Sequence, residues 1–268
     1  MVVAQRVEVD GRVLAYRRAG SGPPLMLLHG GGSDSRQWRP QLEALSDEFD
    51  VVAWDAPGCG GSSDPPTPAD LGTYADAVAG LAAALDLDRP HLGGLSFGGG
   101  LAIEVVHRHP TLPRSLLLAG AYAGWRGSLP PEEVEARLAR VLAERDRPPA
   151  TWAPGYLDGF FGGPVGDELR DEVLAIMLDV RPGGVEPMLR SFAAADLRHV
   201  LPTITVPTLV IHGELDARSP PSVAEELHAR IPGSELVVLP GVGHIVSLEA
   251  SAAFDAEARR FLGSVPGS

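Results

Sequence analysis

The chain has 268 residues, 44% hydrophobic and 21% charged, which is enough for one large domain or a domain with an insertion around a sizeable core. Lys+Arg number 22 and Asp+Glu 35, a formal net charge of −13 that repels phosphate backbones and anionic lipid and argues against nucleic acid or a membrane surface as partner. The single cysteine, Cys59, rules out an internal disulfide and a cysteine-rich zinc site.

At the start, Met1 to Asp10 carries charges at Arg6, Glu8 and Asp10 and no long apolar run, so no secretory signal is read there. Nowhere do 18 apolar residues run together, so no spanning helix is expected, and a cytoplasmic location is. Residues 5 to 18 predict a hairpin: Val7 and Val9 alternate with charges, Asp10-Gly11 is a tight-turn pair, and Val13, Leu14 and Tyr16 follow. Beyond it, short apolar runs alternate with helical stretches. Pro24–Leu28, Val51–Trp54, His91–Leu95 and Leu116–Ala119 predict strands. Trp38–Leu45, Tyr74–Leu85 (Thr73 as N-cap) and Phe97–His109 predict helices. Near the C-terminus, Thr208–Ile211 and Leu236–Leu239 predict strands, with helices at Ser222–Arg230 and Ala250–Leu262. Apolar runs without alternation mark strands covered on both faces, the sign of a parallel sheet in an α/β protein.

The middle differs. Residues 122–200 hold helical stretches (Glu132–Arg145, Asp167–Asp179, Glu186–Ala194) and no convincing strand, with Gly and Pro clusters such as Gly162-Gly163-Pro164 and Pro182-Gly183-Gly184 between them. This predicts a helical insertion between two sheet strands.

Gly94-Leu95-Ser96-Phe97-Gly98 matches G-x-S-x-G, between a predicted strand and a predicted helix as that motif requires. The chain must reverse sharply there, and a side chain at 94 or 98 would collide with the turn or a neighbouring strand. Ser96 is thereby presented at a helix N-terminus, where free N–H groups favour developing negative charge. His29-Gly30-Gly31-Gly32, after the first buried strand, supplies small residues for a second donor. The expected oxyanion donors are the N–H groups of Gly31 and Phe97, with His29 as a structural pin for its loop. A serine hydroxyl needs a base. Of eight histidines, His244 stands in a glycine-flanked loop between the last predicted strand and the last helix, and is the candidate. The acid that orients it is expected at the end of the preceding strand, where Asp216 is preferred and Glu214 is the alternative. The site one strand earlier, Leu118-Ala119-Gly120-Ala121, has no carboxylate.

These motifs, with Asp55-Ala56-Pro57-Gly58-Cys59-Gly60-Gly61-Ser62 and Val206-Pro207-Thr208, resemble the α/β-hydrolase superfamily over nearly the whole chain, in particular its capped esterase, lactonase and cofactor-free haloperoxidase-like members. The resemblance implies an α/β fold with a mostly parallel eight-stranded sheet flanked by helices. Residues 1–121 and 201–268 would form the core domain and 122–200 a helical cap. It also implies that Asp55 and Gly58 to Ser62 shape a loop and are not catalytic. Haloalkane dehalogenases and epoxide hydrolases of this superfamily use an aspartate nucleophile, and serine at 96 argues against both.

The expected activity is hydrolysis of a small to medium, largely apolar carboxylic ester or lactone through an acyl-enzyme, with no cofactor and no metal. Two alternatives stand. The same triad serves carbon–carbon bond hydrolysis or perhydrolysis, and some proteins of this fold are small-molecule receptors or signalling partners. Pocket candidates are Trp38 beside the oxyanion loop and Tyr122 and Trp125 from the cap. Trp152, Tyr156, Phe160, Phe161, Met177, Met188 and Phe192 are divided between the pocket and the cap's own core. Arg36, Arg126 and Arg190 are candidates for a substrate carboxylate, none convincingly placed. Oligomeric state is left open.

Overall fold

The computed structural model describes residues 2–144 and 147–267. Its centre is one eight-stranded sheet: β1 (Gln5–Val9), β2 (Arg12–Ala19), β3 (Pro24–Leu28), β4 (Asp50–Trp54), β5 (His91–Leu95), β6 (Leu116–Ala119), β7 (Thr208–Gly213) and β8 (Glu235–Leu239). The strand order is β1-β2-β4-β3-β5-β6-β7-β8. β2 pairs antiparallel with β1 and with β4, and every pairing from β4 through β3 to β8 is parallel.

The helices are α1 (Arg39–Ala44), α2 (Leu71–Ala84), α3 (Phe97–Arg108), α4 (Pro131–Glu144), α5 (Ala153–Leu157), α6 (Asp167–Leu178), α7 (Pro182–Ala194), α8 (Pro221–Arg230), α9 (Val246–Glu249) and α10 (Ser251–Ser264). Between β6 and β7 the described residues form only helices and loops. No helix among the described residues is long and apolar enough to cross a membrane.

The uninterrupted apolar runs sort themselves by the two-residue period of a strand. Met26, Leu28, Val52, Trp54, Leu116 and Leu118 enter one core with α2, α3 and α8. Leu25, Leu27, Val51, Ala53, Leu117 and Ala119 enter a second core with α1 and α10. Each strand thus contributes to both faces, and each fully buried Leu or Val contributes about 1.5–3 kcal/mol.

Several local expectations are corrected. α2 starts at Leu71, and its N-cap is Asp70, not Thr73. The Asp70 carboxylate accepts from Thr73 N at 2.8 Å and Thr73 Oγ1 accepts from Asp70 N at 3.3 Å, a reciprocal box that puts Thr73 one turn inside. Pro182-Gly183-Gly184 does not lie between helices but opens α7, because proline at the first helical position gives up only an N–H that has no intrahelical partner. The predicted end of α4 at Arg145 lies outside the described residues, as does Met1.

The sheet reverses its winding between β3 and β5: β4 lies on one side of β3 and β5 on the other. A parallel sheet opens a crevice at the carboxyl ends of its strands at such a point. The loops after β3, β5, β7 and β8 all leave from that end.

Three histidines are fully buried within this frame: His29, His91 and His212. Burial lowers the pKa of all three, that of His91 to about 4. The unfolded chain takes up protons as pH falls through 6.5 and the native state does not, so stability must drop on the acid side of 6.5. His91 alone accounts for about 3 kcal/mol once pH reaches its folded value. A His91→Leu variant followed by melting temperature from pH 7 to pH 4 should show a visibly shallower decline than the parent. An unchanged decline would remove His91 from the account.

Candidate active site

The site begins with a backbone reversal. Ser96 caps α3 with φ 54 and ψ −112, a left-handed conformation that serine rarely adopts. Its N–H donates to Ala119 O at 2.9 Å, and its carbonyl accepts from Gly99 N and Gly100 N, both at 3.1 Å. The flanking glycines are required by contact. A Cβ on Gly94 would lie 2.2 Å from the Gly98 carbonyl carbon, and one on Gly98 would lie 2.1 Å from Leu28 O. Helix α3 therefore rests directly on the ends of β3 and β5.

His244 follows β8. Its Nδ1 lies 2.8 Å from Asp216 Oδ2, and both side chains are buried. The other carboxylate oxygen, Oδ1, accepts from Arg218 N and Ser219 N, each at 2.8 Å. Burial pushes the Asp216 carboxyl upward. The adjacent His244 and the Ser219 N–H outweigh that and hold it below the ordinary carboxylate value. An ionised Asp216 accepts a hydrogen bond from Nδ1–H, the tautomer that leaves the His244 Nε2 lone pair free. His212 Nε2 stands 3.9 Å from Asp216 Oδ2, too far for a hydrogen bond. Burial pulls its pKa down, so it does not compete as a cation. Glu214, the alternative acid, is spent elsewhere: its Oε2 accepts from Gly241 N at 2.8 Å.

The loop carrying His244 is clamped by the insertion. Phe160 O accepts from His244 N at 2.8 Å, and the Phe160 ring stacks on the imidazole with centroids 6.3 Å apart. Glu249 bridges the two segments, accepting from Gly162 N at 2.9 Å and Gly243 N at 2.7 Å. The backbones meet so closely that a Cβ on Gly243 would lie 2.4 Å from Gly162 N. Neither Glu249 nor the docking role of Gly162 was read from sequence. Both act between segments far apart in the chain, and no local pattern marks them.

The His29 pin is seen directly. Its Nε2 accepts from Ala56 N at 3.0 Å and its Nδ1 lies 2.7 Å from Gly30 O, tying the loops after β3 and β4 together. Asp55 accepts from Ser35 N and Gly61 N, both at 2.8 Å, which is the loop-shaping role expected of it.

A cavity of about 430 Å³ lies over these groups. Ser96, His244, Gly31 and Phe97 all line it, and so do Tyr122 and Trp125. Trp38 does not. It is fully buried against Phe254 of α10, with centroids 6.0 Å apart, in the core on the other side of its turn. The large indole gains more by filling that core than by edging a cleft, and Gln37 takes the cavity position instead, accepting from Gly30 N at 3.1 Å. Of the other candidates, Trp152, Tyr156, Phe160, Met177 and Phe192 line the cavity, while Phe161 and Met188 are core.

The arginines anticipated for a carboxylate are engaged or absent from the wall. Arg36 pairs with Asp34 and Asp179, Arg190 pairs with Glu186, and Arg126 does not line the cavity. Arg218, not singled out from sequence, does line it, and burial lowers its pKa. No group of three or more His, Cys, Asp or Glu among the described residues is arranged to hold a metal ion.

With this geometry in place, comparison with known proteins is informative. A model of the alpha/beta hydrolase family matches residues 25–257. The chain belongs to the alpha/beta hydrolase family. Among curated relatives, this hydrolase-family chain is 31% identical over 258 residues to a pimeloyl-[acyl-carrier protein] methyl ester esterase of Neisseria meningitidis, covering 88% of this chain and 91% of that one. Among solved structures, it is similar to a thermophilic esterase from Thermogutta terrifontis (TM-score 0.90, 31% identity, 97% and 99% of the two chains). It is also similar to an enol-lactonase from Burkholderia xenovorans (TM-score 0.86, 28% identity, 97% and 100%).

The contact at the elbow predicts that Gly98→Ala loses more than about 3 kcal/mol in a urea unfolding titration, because the new methyl meets backbone that cannot move aside. Gly163→Ala, where a Cβ meets nothing within 4 Å, serves as the control and should stay within about 0.5 kcal/mol of the parent.

Proposed function

We propose that this chain is a serine hydrolase that cleaves a small to medium carboxylic ester or lactone through an acyl-enzyme. Ser96 is the nucleophile, His244 the general base and Asp216 the acid that orients it. The N–H groups of Gly31 and Phe97 receive the oxyanion, and residues 122–200 act as a cap. The observation that carries this reading is the buried Asp216–His244 pair at 2.8 Å, which opens onto the same cavity as a serine held in a strained conformation at a helix N-terminus. The named activities of the esterase and lactonase relatives support the same reaction class.

The chemistry follows from the donors and acceptors. Ser96 Oγ adds to the substrate carbonyl carbon while its proton passes to His244 Nε2. Charge then develops on the former carbonyl oxygen. The first N–H of α3, that of Phe97, has no carbonyl one turn before it within the helix and is available to it. The imidazolium is stabilised by ionised Asp216 and gives its proton to the leaving alkoxide as the carbon–oxygen bond breaks. Water, deprotonated by the same nitrogen, attacks the acyl-enzyme and frees the acid and the Ser96 hydroxyl.

The apolar part of the substrate is accommodated by Trp125, Trp152, Tyr156 and Phe160, together with aliphatic residues of α4, α6 and α7 such as Val141, Ile176 and Leu189. A cavity of this volume suits a compact molecule.

Treatment with a fluorophosphonate followed by peptide mass spectrometry should place the label on Ser96. Ser96→Ala should abolish labelling and lower kcat on a 4-nitrophenyl ester by about 10⁶-fold. Asp216→Asn should lower it by about 10⁴-fold, by presenting the wrong tautomer of His244. Labelling at another residue, or full activity in Ser96→Ala, would end the reading.

A further inference from the structure

Arg218 lies two residues beyond Asp216, in the loop between β7 and α8, and its side chain borders the cavity. Its guanidinium is packed over the Phe160 ring, 4.1 Å from the centroid, and over Tyr156 at 5.0 Å. An arginine offers five N–H donors. Here Nε is buried without a hydrogen-bond partner, and Nη2 reaches only Tyr156 O at 3.4 Å. No carboxylate among the described residues forms an ion pair with it.

The acids nearby are committed. Asp216 holds His244 and two backbone amides. Glu133 pairs with Arg137, Glu186 with Arg190, and Glu144 accepts from Tyr156 Oη at 2.6 Å. Arg137 is itself spent on Glu133, Tyr122 Oη and the Arg218 carbonyl.

A half-buried guanidinium whose Nε is sealed from water without an acceptor is costly unless something supplies one. From this we infer that the substrate carries a carboxylate, and that Arg218 receives it with paired N–H···O bonds while the ester or lactone carbonyl sits at Ser96. The inference rests on the hydrolase reading above and narrows its substrate to monoanionic esters or lactones. The Phe160 ring centroid lies 6.3 Å from that of His244 and 4.1 Å from the Arg218 guanidinium carbon, so the anion site and the imidazole share one wall of the cavity. That proximity calls for a short carbon chain between the carboxylate and the reacting carbonyl. The planar fork of arginine matches a carboxylate in a way lysine does not, so charge and geometry both contribute. The chain's net charge of −13 repels such a substrate at long range, so its selection must come from inside the cavity.

The test compares monoethyl glutarate and monoethyl adipate with the corresponding diethyl esters in a pH-stat, together with the thermal shift given by glutarate and by butyrate. The parent should favour at least one monoester over its diethyl counterpart by about 10-fold or more in kcat/KM. Arg218→Met should reduce that charged-to-neutral ratio by about 30-fold or more, and Arg218→Lys should recover part of it. Glutarate should raise the melting temperature of the parent more than butyrate does, and Arg218→Met should lose the difference. Turnover of the diethyl esters without preference for either monoester, or an equal loss on both classes in Arg218→Met, would overturn the role of Arg218 and leave the hydrolase reading standing. Absence of turnover with no label on Ser96 would instead overturn the hydrolase reading, and the glutarate shift would still decide whether Arg218 is an anion site.

Discussion

Everything at the site depends on how closely α3 approaches the ends of β3 and β5. With glycine at 94 and 98, the helix backbone comes within a Cβ's reach of Leu28 O, and the chain turns through Ser96 at φ 54. The hydroxyl is carried on this tight junction, between a strand buried on both faces and a helix packed in the same core. The strain at Ser96 persists because its backbone is tied to Ala119 on one side and to Gly99 and Gly100 on the other.

The histidine side is built differently. His244 stands on a loop, and a loop holds an imidazole only as well as its anchors allow. Here the anchors come from three directions. Asp216 fixes one ring nitrogen, Phe160 O takes the backbone N–H, and Glu249 bonds the amides of Gly162 and Gly243. Two of these three contacts involve the segment at 160–162, inserted between β6 and β7. The helical insertion therefore not only walls the cavity. It also helps hold His244, through Phe160 O and the Glu249 bridge to Gly162.

Charge follows the same division between frame and cavity. At the surface, charges meet in exposed pairs such as Arg260–Glu235, where screening leaves each pair worth little. Inside, the consequential charges are few. Asp216 is compensated by His244 and two amides, whereas Arg218 is packed against aromatic rings with donors unspent. The first arrangement is complete in itself, and the second is what the proposed carboxylate site rests on.

Much of this was legible in the residues alone. Strands buried on both faces announce themselves as unbroken apolar runs, and the elbow as glycines spaced around a serine, because both signals are local. The order of Ser96, Asp216 and His244 along the chain, each at the end of a predicted strand, is likewise a property of sequence. Sequence leaves open the choice between neighbouring candidates and whatever packing settles. Thr73 reads as a cap where Asp70 holds that place, and Pro182-Gly183-Gly184 reads as a break where it starts α7. Trp38 belongs to the core beneath α10, and Arg36 and Arg190 are consumed by ion pairs. Arg218 and Glu249 carry no local mark at all. Hydrophobic period and turn chemistry act over a few residues and can be read along the chain. Which side chain reaches a cavity, and whether its charge is already satisfied, is settled only when elements a hundred or more residues apart are packed together.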